Sequence, residues 1–315
     1  MRAHLTSARA SHARRDRTQP GPLRRHTLVQ RLEAGGVAAF LAAMGVLPLD
    51  LASAAGGAIA RIIGPHLAVT RRAQRNLDIA LPHLSAAERR RIIREMWDNL
   101  GRTTAEYAHL SRLRCFAPGT RVEVVGTQHV DRAVARGRPL IFFSGHLGNW
   151  EVASVAVVQY GVELAQIYRA ANNPGVEAML RQLRKSLGVE PIRKGAAGAR
   201  RIVAALRQGK NLAMLVDQKM NDGIAVPFFD REAMTAPALA ELALRYDCAV
   251  LPARVDRLRG ARFRFTIFPA LDFERSGDQR ADIRQAMIAV NRCLEEWIRE
   301  RPEQWLWLHR RWPDS

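Results

Sequence analysis

The stretch that decides the fold is PLIFFSGHLGNWE, residues 139–151. Its apolar run, Leu140 to Phe143, has the length of a buried strand and leads into Gly145. His146 follows at once, and Glu151 opens an apolar helical pattern. A strand that delivers a histidine into a glycine-containing turn, with a carboxylate in the first turn of the next helix, is typical of a general base and its orienting acid.

The context of His146, rather than its spacing from an acid, marks it as a functional candidate. Three of the nine histidines have an acid five residues later. His83 lies in a turn where Ser85 is a predicted helix N-cap with Glu88 as its capping-box partner. His309 lies in a basic tail, so we interpret both of these pairs as accidental. The alternative for His146 is a purely structural histidine inside a βα turn.

Composition limits the classes of protein and partner. The chain has 315 residues, 48% of them hydrophobic, which suits one large domain or two small ones. Its three cysteines are far apart and odd in number, which argues against a disulfide framework and against a zinc site. The net charge of +19 favours anionic partners. Because the arginines are scattered, nucleic acid is not a predicted partner, and a merely solvated basic surface is the alternative.

The N-terminal region divides into two predicted segments. Residues 1–26 carry seven arginines and one acid and are predicted to be a disordered basic arm. Residues 27–64 contain an apolar stretch, Ala34 to Ala60, that is interrupted at Pro48. Its uncharged half has 16 residues, whereas a spanning helix needs about 20. We therefore expect membrane-associated helices that do not cross the bilayer, with both basic flanks in the cytoplasm.

Other interpretations of this apolar stretch stay open at this point. Ala52 to Ala54 resembles a signal-peptide cleavage site. A tilted, weak spanning anchor and a buried soluble helical hairpin are further alternatives. The Trp-rich C-terminal tail has two interpretations as well, since Trp305, Trp307 and Trp312 suit either the headgroup level of a membrane or packing on the core.

Strand and helix patterns alternate through residues 65–315, which predicts one α/β domain with a mixed, partly parallel sheet flanked by helices. The predicted strands are 122–125, 140–143, 164–168, 189–192, 212–216, 249–255 and 263–268, the last two as an antiparallel pair. The predicted helices are 85–109, 150–158, 174–187, 197–208 and 279–300.

Active residues gather at the carboxyl ends of strands in open α/β sheets. Three predicted strand ends carry such residues, namely His146 after the first buried strand, Arg169 after the next, and Asp217 with Gln218 after a third. Together they offer a base, a cation and a carboxylate. Arg169 alone is more often a solvated strand end, and Asp217 alone more often a loop residue.

Several segments together make this chain resemble the late (lauroyl/myristoyl) acyltransferases of lipid A biosynthesis in Gram-negative inner membranes. The matching segments are SGHLGNWE at 144–151, IYRAANNP at 167–174, LVDQ at 215–218, VPFF at 226–229 and PEQWLWLHRRW at 302–312. The resemblance covers roughly residues 30–312. The first and last of these blocks are specific, whereas the others are weak alone.

The resemblance implies a fold like that of glycerolipid acyltransferases. It implies transfer of a fatty acyl chain from acyl carrier protein to a hydroxyl of a lipid A precursor, at the cytoplasmic face of the inner membrane. The family's histidine and acid fall on His146 and Glu151, with His146 as general base and Glu151 fixing its tautomer. No cofactor and no metal is expected.

Further residues receive roles in this scheme. Backbone N–H groups at Gly148 and Asn149 are expected to stabilise the oxyanion. Arg169 is expected to hold a substrate phosphate or the oxyanion, and Asp217 and Gln218 to bind substrate or support these groups. Two alternatives stay open: an acyltransferase of the same fold with another membrane lipid as acceptor, and a non-catalytic protein that binds anionic lipid.

Overall fold

The structure, a computed structural model, describes residues 27–312, so the predicted basic arm at 1–26 lies outside the described residues. A seven-stranded sheet forms its centre, in the order β1-β9-β8-β2-β5-β3-β4. Its strands are β1 (Val122–Val125), β2 (Leu140–Ser144), β3 (Leu164–Tyr168), β4 (Val189–Arg193), β5 (Asn211–Leu215), β8 (Ala249–Arg259) and β9 (Arg262–Ile267). A separate antiparallel pair consists of β6 (Lys219–Phe228) and β7 (Arg231–Thr235).

The main sheet is mixed, as the sequence predicts. Strands β8, β2, β5, β3 and β4 run parallel to one another. Strand β9 is antiparallel to β8, and β1 is parallel to β9. Every residue of β2 and β3 is buried, because helices cover both faces of the sheet. Continuous apolar runs in the sequence therefore mark the strands at the centre of the molecule.

Helices surround this sheet. They are α1 (Leu28–Val46), α2 (Leu49–Ile63), α3 (Thr70–Ala80), α4 (Ala86–Glu106), α5 (Thr127–Ala135), α6 (Glu151–Gln159), α7 (Pro174–Ser186), α8 (Ala196–Arg207), α9 (Ala238–Tyr246) and α10 (Gln279–Glu300). The five predicted helices correspond to α4, α6, α7, α8 and α10. The capping box predicted at Ser85 and Glu88 forms at the start of α4.

The predicted break at Pro48 separates α1 from α2. Helix α2 lies against α4 at two glycines, where a Cβ on Gly101 would come within 2.2 Å of the Gly56 carbonyl oxygen. This close approach buries one face of α2 and leaves Ile59, Ile62 and Ile63 exposed on the rest of its surface. Within residues 27–312, no helix is long and apolar enough to cross a membrane.

The C-terminal tail packs on the core. Trp305 and Trp307 are fully buried, and Trp312 is 3% exposed. The Trp305 and Trp307 rings meet edge to face at 4.6 Å between centroids. Of the two interpretations of these tryptophans, the structure supports packing on the core, and this packing brings the tail against the carboxyl ends of the central strands.

Candidate active site

The register between β2 and β5 brings His146 to Asp217. Ser144 pairs with Leu215 at the ends of these parallel strands, so the residues two positions further on, His146 and Asp217, lie side by side. His146 Nδ1 lies 2.8 Å from Asp217 Oδ1, and the His146 backbone N–H donates to Asp217 Oδ2 at 2.7 Å. Two strand ends that are 71 residues apart in sequence thus form one acid–imidazole pair.

The Asp217 carboxylate is completely buried and fully hydrogen-bonded. Besides its bonds to His146, it accepts a hydrogen bond from Trp305 Nε1 at 2.8 Å. Burial alone would raise the pKa of the Asp217 carboxyl, but the adjacent His146 and its hydrogen bonds bring that pKa well below its usual range. An ionised Asp217 accepts a hydrogen bond from the Nδ1–H, so the neutral imidazole carries its lone pair on Nε2.

Glu151 does not occupy the place that the sequence assigns to it. The carboxylate on the imidazole is Asp217, whereas Glu151 accepts hydrogen bonds from Arg184 Nη2 at 2.6 Å and from the Tyr107 hydroxyl at 2.9 Å. Glu151 lies in the first turn of α6, and its side chain is directed to α7 and to the end of α4. The predicted His146–Glu151 pair is therefore wrong, because the adjacent strand rather than the following helix supplies the orienting acid.

The Glu151–Arg184 pair is itself buried, with side chains 1% and 10% exposed. Burial alone would lower the pKa of the Arg184 guanidinium, but the Glu151 charge and hydrogen bond raise that pKa above its usual value. Burial and the Glu151 charge also raise the pKa of Tyr107 well above its usual value. Glu151 therefore fixes Arg184 in the wall of the pocket that contains His146.

The loop after His146 is held by hydrogen bonds that correct a second expectation. The Gly148 N–H donates to the Gln304 carbonyl at 3.1 Å, so this N–H is not directed at a substrate oxyanion. The Gly148 carbonyl accepts from Asn99 Nδ2 and Thr103 Oγ1. Gly148 has φ +54°, and a Cβ there would lie 2.3 Å from the Val255 carbonyl oxygen, so only glycine fits this turn.

A buried ion pair lies beneath the same loop. Glu106, on α4, receives two hydrogen bonds from the Arg257 guanidinium, one from Ser53 at 2.7 Å and one from the Asn149 amide at 2.8 Å. The Asn149 side-chain oxygen accepts the Glu151 N–H at 3.3 Å. Asn149 thus connects the loop to α4 through its side chain, and the role expected for its backbone N–H at the oxyanion stays a prediction.

The pocket around His146 carries positive charge. Its lining residues are His146, Trp150, Gln166, Ile167, Tyr168, Arg169, Arg184, Lys194, Leu215 and Gln218. Arg169 and Lys194 are exposed, and the only hydrogen bond from Arg169 within the described part of the chain reaches Asn172 at 3.4 Å. Arg169 and Gln218 therefore share the pocket with His146, as the sequence predicts. No cluster of residues suited to a metal ion occurs within residues 27–312.

Two rings beside the imidazole are absent from the sequence-based prediction. Trp150 lies edge-on to the His146 ring at 5.0 Å between centroids, and His309 does so at 4.9 Å. The tail brings His309 here, although its sequence context suggested only a basic terminus. The specific block at 302–312 is the one sequence signal that could have pointed to this tail, since its Trp305 pairs with Leu147 next to His146.

An apolar cavity lies next to the polar pocket, between α6 and the sheet. It shares Trp150, Gln166 and Leu215 with the pocket and is otherwise lined mainly by apolar side chains, including Phe142, Val157, Leu164 and Phe265. The Gln166 side-chain oxygen is buried and has no partner within the described residues. The polar pocket that contains His146 thus lies beside an apolar cavity.

Comparisons with known proteins identify the family. The model of the bacterial lipid A biosynthesis acyltransferase family matches residues 26–314. A lipid A biosynthesis acyltransferase of Haemophilus influenzae is 23% identical over 276 residues, which cover 85% of this chain and 84% of that protein. A lipid A biosynthesis palmitoleoyltransferase of Escherichia coli is 27% identical over 247 residues, covering 76% and 77%. A phosphatidylinositol mannoside acyltransferase of Mycobacterium tuberculosis is 27% identical over 191 residues, covering 59% and 58%.

The buried Glu151–Arg184 pair predicts a coupled effect on stability. Glu151→Leu is expected to lower the free energy of unfolding by about 3–5 kcal/mol, because it leaves a buried guanidinium without its counter-charge. The double variant Glu151→Leu/Arg184→Met removes both charges and is expected to recover most of this loss. Urea denaturation of the two variants and of Arg184→Met measures the coupling. Costs of the two single changes that simply add in the double variant would contradict the pairing.

Proposed function

We propose the function of this chain from its family and its site. The chain belongs to the bacterial lipid A biosynthesis acyltransferase family. In our proposal it transfers a fatty acyl chain from the thioester of an acyl carrier protein to a hydroxyl of a lipid A precursor. The observation that carries the proposal is the His146–Asp217 pair at a basic pocket that opens beside an apolar cavity. These features match the three needs of the reaction: a base, a place for anionic groups and a place for a hydrocarbon chain.

His146 acts as the general base in this proposal. Its Nε2 removes the proton of the acceptor hydroxyl while the hydroxyl oxygen attacks the thioester carbonyl carbon. The tetrahedral intermediate then expels the thiolate, which takes the same proton back from Nε2. Asp217 stabilises the imidazolium between these steps. A positioned base of this kind contributes about 10²–10⁴-fold to the rate.

The oxyanion of the tetrahedral intermediate needs donors within the pocket. Gln218 Nε2 lies 3.4 Å from His146 Nε2, the atom at which the hydroxyl must sit. Arg169, at the pocket mouth, supplies a positive charge for the oxyanion or for a phosphate of the acceptor. Glu151 supports the reaction indirectly in this scheme, because it holds Arg184 in the pocket wall.

The charge of the chain suits the proposed partners. Acyl carrier proteins are acidic and lipid A precursors carry phosphates, so a chain with a net charge of +19 attracts both. Arg169 and Lys194 add positive charge where the reacting groups meet, whereas the charge of Arg184 is balanced by Glu151. We therefore propose that the acyl carrier protein and the lipid acceptor bind to the same basic surface.

A second acceptor class is supported by one comparison. The relative from Mycobacterium tuberculosis is named as acting on a phosphatidylinositol mannoside, a glycolipid with its own phosphate. Incubation of the purified chain with acyl carrier protein thioesters and each acceptor separately distinguishes the two functions. Acyl transfer to the mannoside alone would replace lipid A as the acceptor, and transfer to neither would leave a lipid-binding role.

Substitutions in the acid–imidazole pair test the mechanism. His146→Ala is expected to lower the rate of acyl transfer by at least about 10³-fold, and Asp217→Asn by about 10²–10⁴-fold, because the imidazole loses its base or its correct tautomer. Thermal unfolding checks that each variant folds. Glu151→Gln serves as the matched carboxylate control and is expected to retain more activity than Asp217→Asn. The opposite order would show that Glu151 orients the base after all.

We propose that the acyl chain enters the protein at the apolar cavity, which has a volume of about 30 Å³ in this structure and must widen to hold the chain. Val157→Phe fills part of it and is expected to shift the preferred donor to a chain that is shorter by two or more carbons. Val155→Phe on the same helix is the control, since Val155 is equally buried but does not line the cavity. Both changes are expected to cost about 1–3 kcal/mol of stability by overpacking. Mass spectrometry of products from mixed donors gives the result, and unchanged chain lengths in Val157→Phe would place the acyl chain elsewhere.

We place the chain at the cytoplasmic face of the inner membrane, bound through α1 and α2. Leu28, Val29 and Leu32 on α1 are 63–73% exposed, and Ile62 on α2 is 69% exposed. Such an apolar surface beside flanking arginines is typical of helices that lie in the interface of an anionic membrane. The proposal requires no spanning helix and keeps the pocket on the side where acyl carrier protein is found.

Binding to lipid vesicles tests this placement. Ile62→Asp/Ile63→Asp is expected to weaken binding to phosphatidylglycerol-containing vesicles at least tenfold. Each isoleucine that moves from water into the membrane contributes about 1.5–3 kcal/mol to binding. Val134→Asp on α5, where Val134 is 55% exposed, is the matched control and is expected to bind like the wild type. Co-sedimentation measures the affinity. Equal binding by the double variant would exclude α2 as the membrane contact.

A further inference from the structure

The Gln218 amide lies between two histidines, His146 in the pocket and His309 beside it. Gln218 Nε2 lies 3.4 Å from His146 Nε2 and 3.2 Å from His309 Nε2. The two imidazole rings meet at 4.9 Å between centroids with an angle of 61°. The function proposed above needs only one imidazole, so the second ring and its contact with Gln218 require an explanation of their own.

The proton positions in this group follow from Asp217. Because His146 Nδ1 donates to the Asp217 carboxylate, His146 Nε2 carries a lone pair and can only accept a hydrogen bond. The group facing it must therefore be the NH₂ of Gln218 rather than its oxygen. The second N–H of the same NH₂ faces His309 Nε2, which must also accept. His309 is thus neutral with its proton on Nδ1.

The surroundings of His309 keep it neutral. Burial and the adjacent His146 lower the pKa of His309 to about 4, with Arg169 and Arg72 acting in the same direction and Asp217 opposing them. An uncharged imidazole at the working pH retains the Nε2 lone pair that accepts from Gln218.

The backbone around His309 is clamped from α3. Asn76 Nδ2 donates to the carbonyls of Trp307 and His309, each at 2.7 Å. Arg72 Nη1 donates to the Leu308 carbonyl at 3.0 Å. Three consecutive carbonyls of the tail are therefore fixed by two side chains of one helix. These bonds fix the position of the His309 ring next to Gln218.

We propose that His309 is a positioning residue, which holds the Gln218 carboxamide so that its N–H donates to the oxyanion. The inference rests on the proposed acyl transfer. When the acceptor hydroxyl occupies the space at His146 Nε2, it displaces one Gln218 N–H, and the other stays on His309. The amide is then anchored at one hydrogen and free to stabilise the intermediate with the other.

A double-mutant cycle tests this role. Gln218→Met keeps the side-chain length and removes both donors, and it is expected to lower kcat about 10²–10³-fold with little change in KM. His309→Phe keeps a ring and removes the acceptor, and it is expected to lower kcat about tenfold. In the double variant the second change is expected to add less than threefold, because His309 acts only through Gln218. His309→Gln restores an acceptor and should recover part of the loss, while His83→Phe, at an exposed histidine, should have no effect.

Two results would overturn the inference. Multiplicative losses of kcat in the double variant would show that His309 acts independently of Gln218. Full activity in Gln218→Met would show that the Gln218 N–H is not the donor to the oxyanion. Failure of the proposed function is distinguishable, since the wild type would then transfer no acyl group. The ¹⁵N NMR signals of the histidines test the network without activity. We expect His309 to be neutral with its proton on Nδ1, and a proton on Nε2 would contradict the proposal.

Discussion

Two parallel strands, β2 and β5, hold the register on which the site depends. Their last paired residues, Ser144 and Leu215, lie two positions before His146 and Asp217, and this register brings the two side chains to hydrogen-bonding distance. The buried Asp217 carboxylate cannot be hydrated by solvent. It is stabilised in its ionised form because His146 and Trp305 donate hydrogen bonds to it. The hydrogen bonds to Asp217 also fix the tautomer of the His146 imidazole and, through Trp305, hold the C-terminal tail over the strand ends.

The loop that leaves His146 depends on a second buried charge. Glu106 and Arg257 form an ion pair between α4 and β8, and Asn149 and Gly148 bind to it or to its neighbours. Buried pairs of this kind contribute little net stability, because desolvation offsets the Coulombic attraction. The effect of this pair is geometric, since Glu106 accepts a hydrogen bond from Asn149, and Asn99 and Thr103, which Arg257 contacts, bind the Gly148 carbonyl. The polar interior therefore gives the loop one conformation.

Much of the fold can be predicted from the sequence because buried strands are continuous apolar runs and long helices have a clear period. The predicted strands and helices of the α/β core are confirmed, most of them to within a few residues at each end. The predicted site residues His146, Arg169 and Asp217 lie beyond the carboxyl ends of β2, β3 and β5. Short amphipathic helices such as α3, α5 and α9 were missed, because nine to eleven residues give too little periodicity.

The partners within the site could not be predicted in the same way. Glu151 is near His146 in sequence, but sheet pairing decides which carboxylate reaches the ring, and pairing is a long-range property. His309 was set aside as part of a basic tail for the same reason, since only the fold shows that α3 holds that tail next to Gln218 and His146. The strand and glycine context along the chain marked His146 as the candidate base, whereas its carboxylate partner and its neighbouring imidazole depend on tertiary contacts.

The most direct test of this account is the ¹H–¹⁵N NMR signal of the His146 Nδ1–H, observed in the wild type and in two carboxamide variants. A proton held by Asp217 should give a protected, strongly deshielded signal that persists in Glu151→Gln and is lost in Asp217→Asn. Loss of the signal in Glu151→Gln and its persistence in Asp217→Asn would contradict the assignment of Asp217 as the acid that orients the catalytic base.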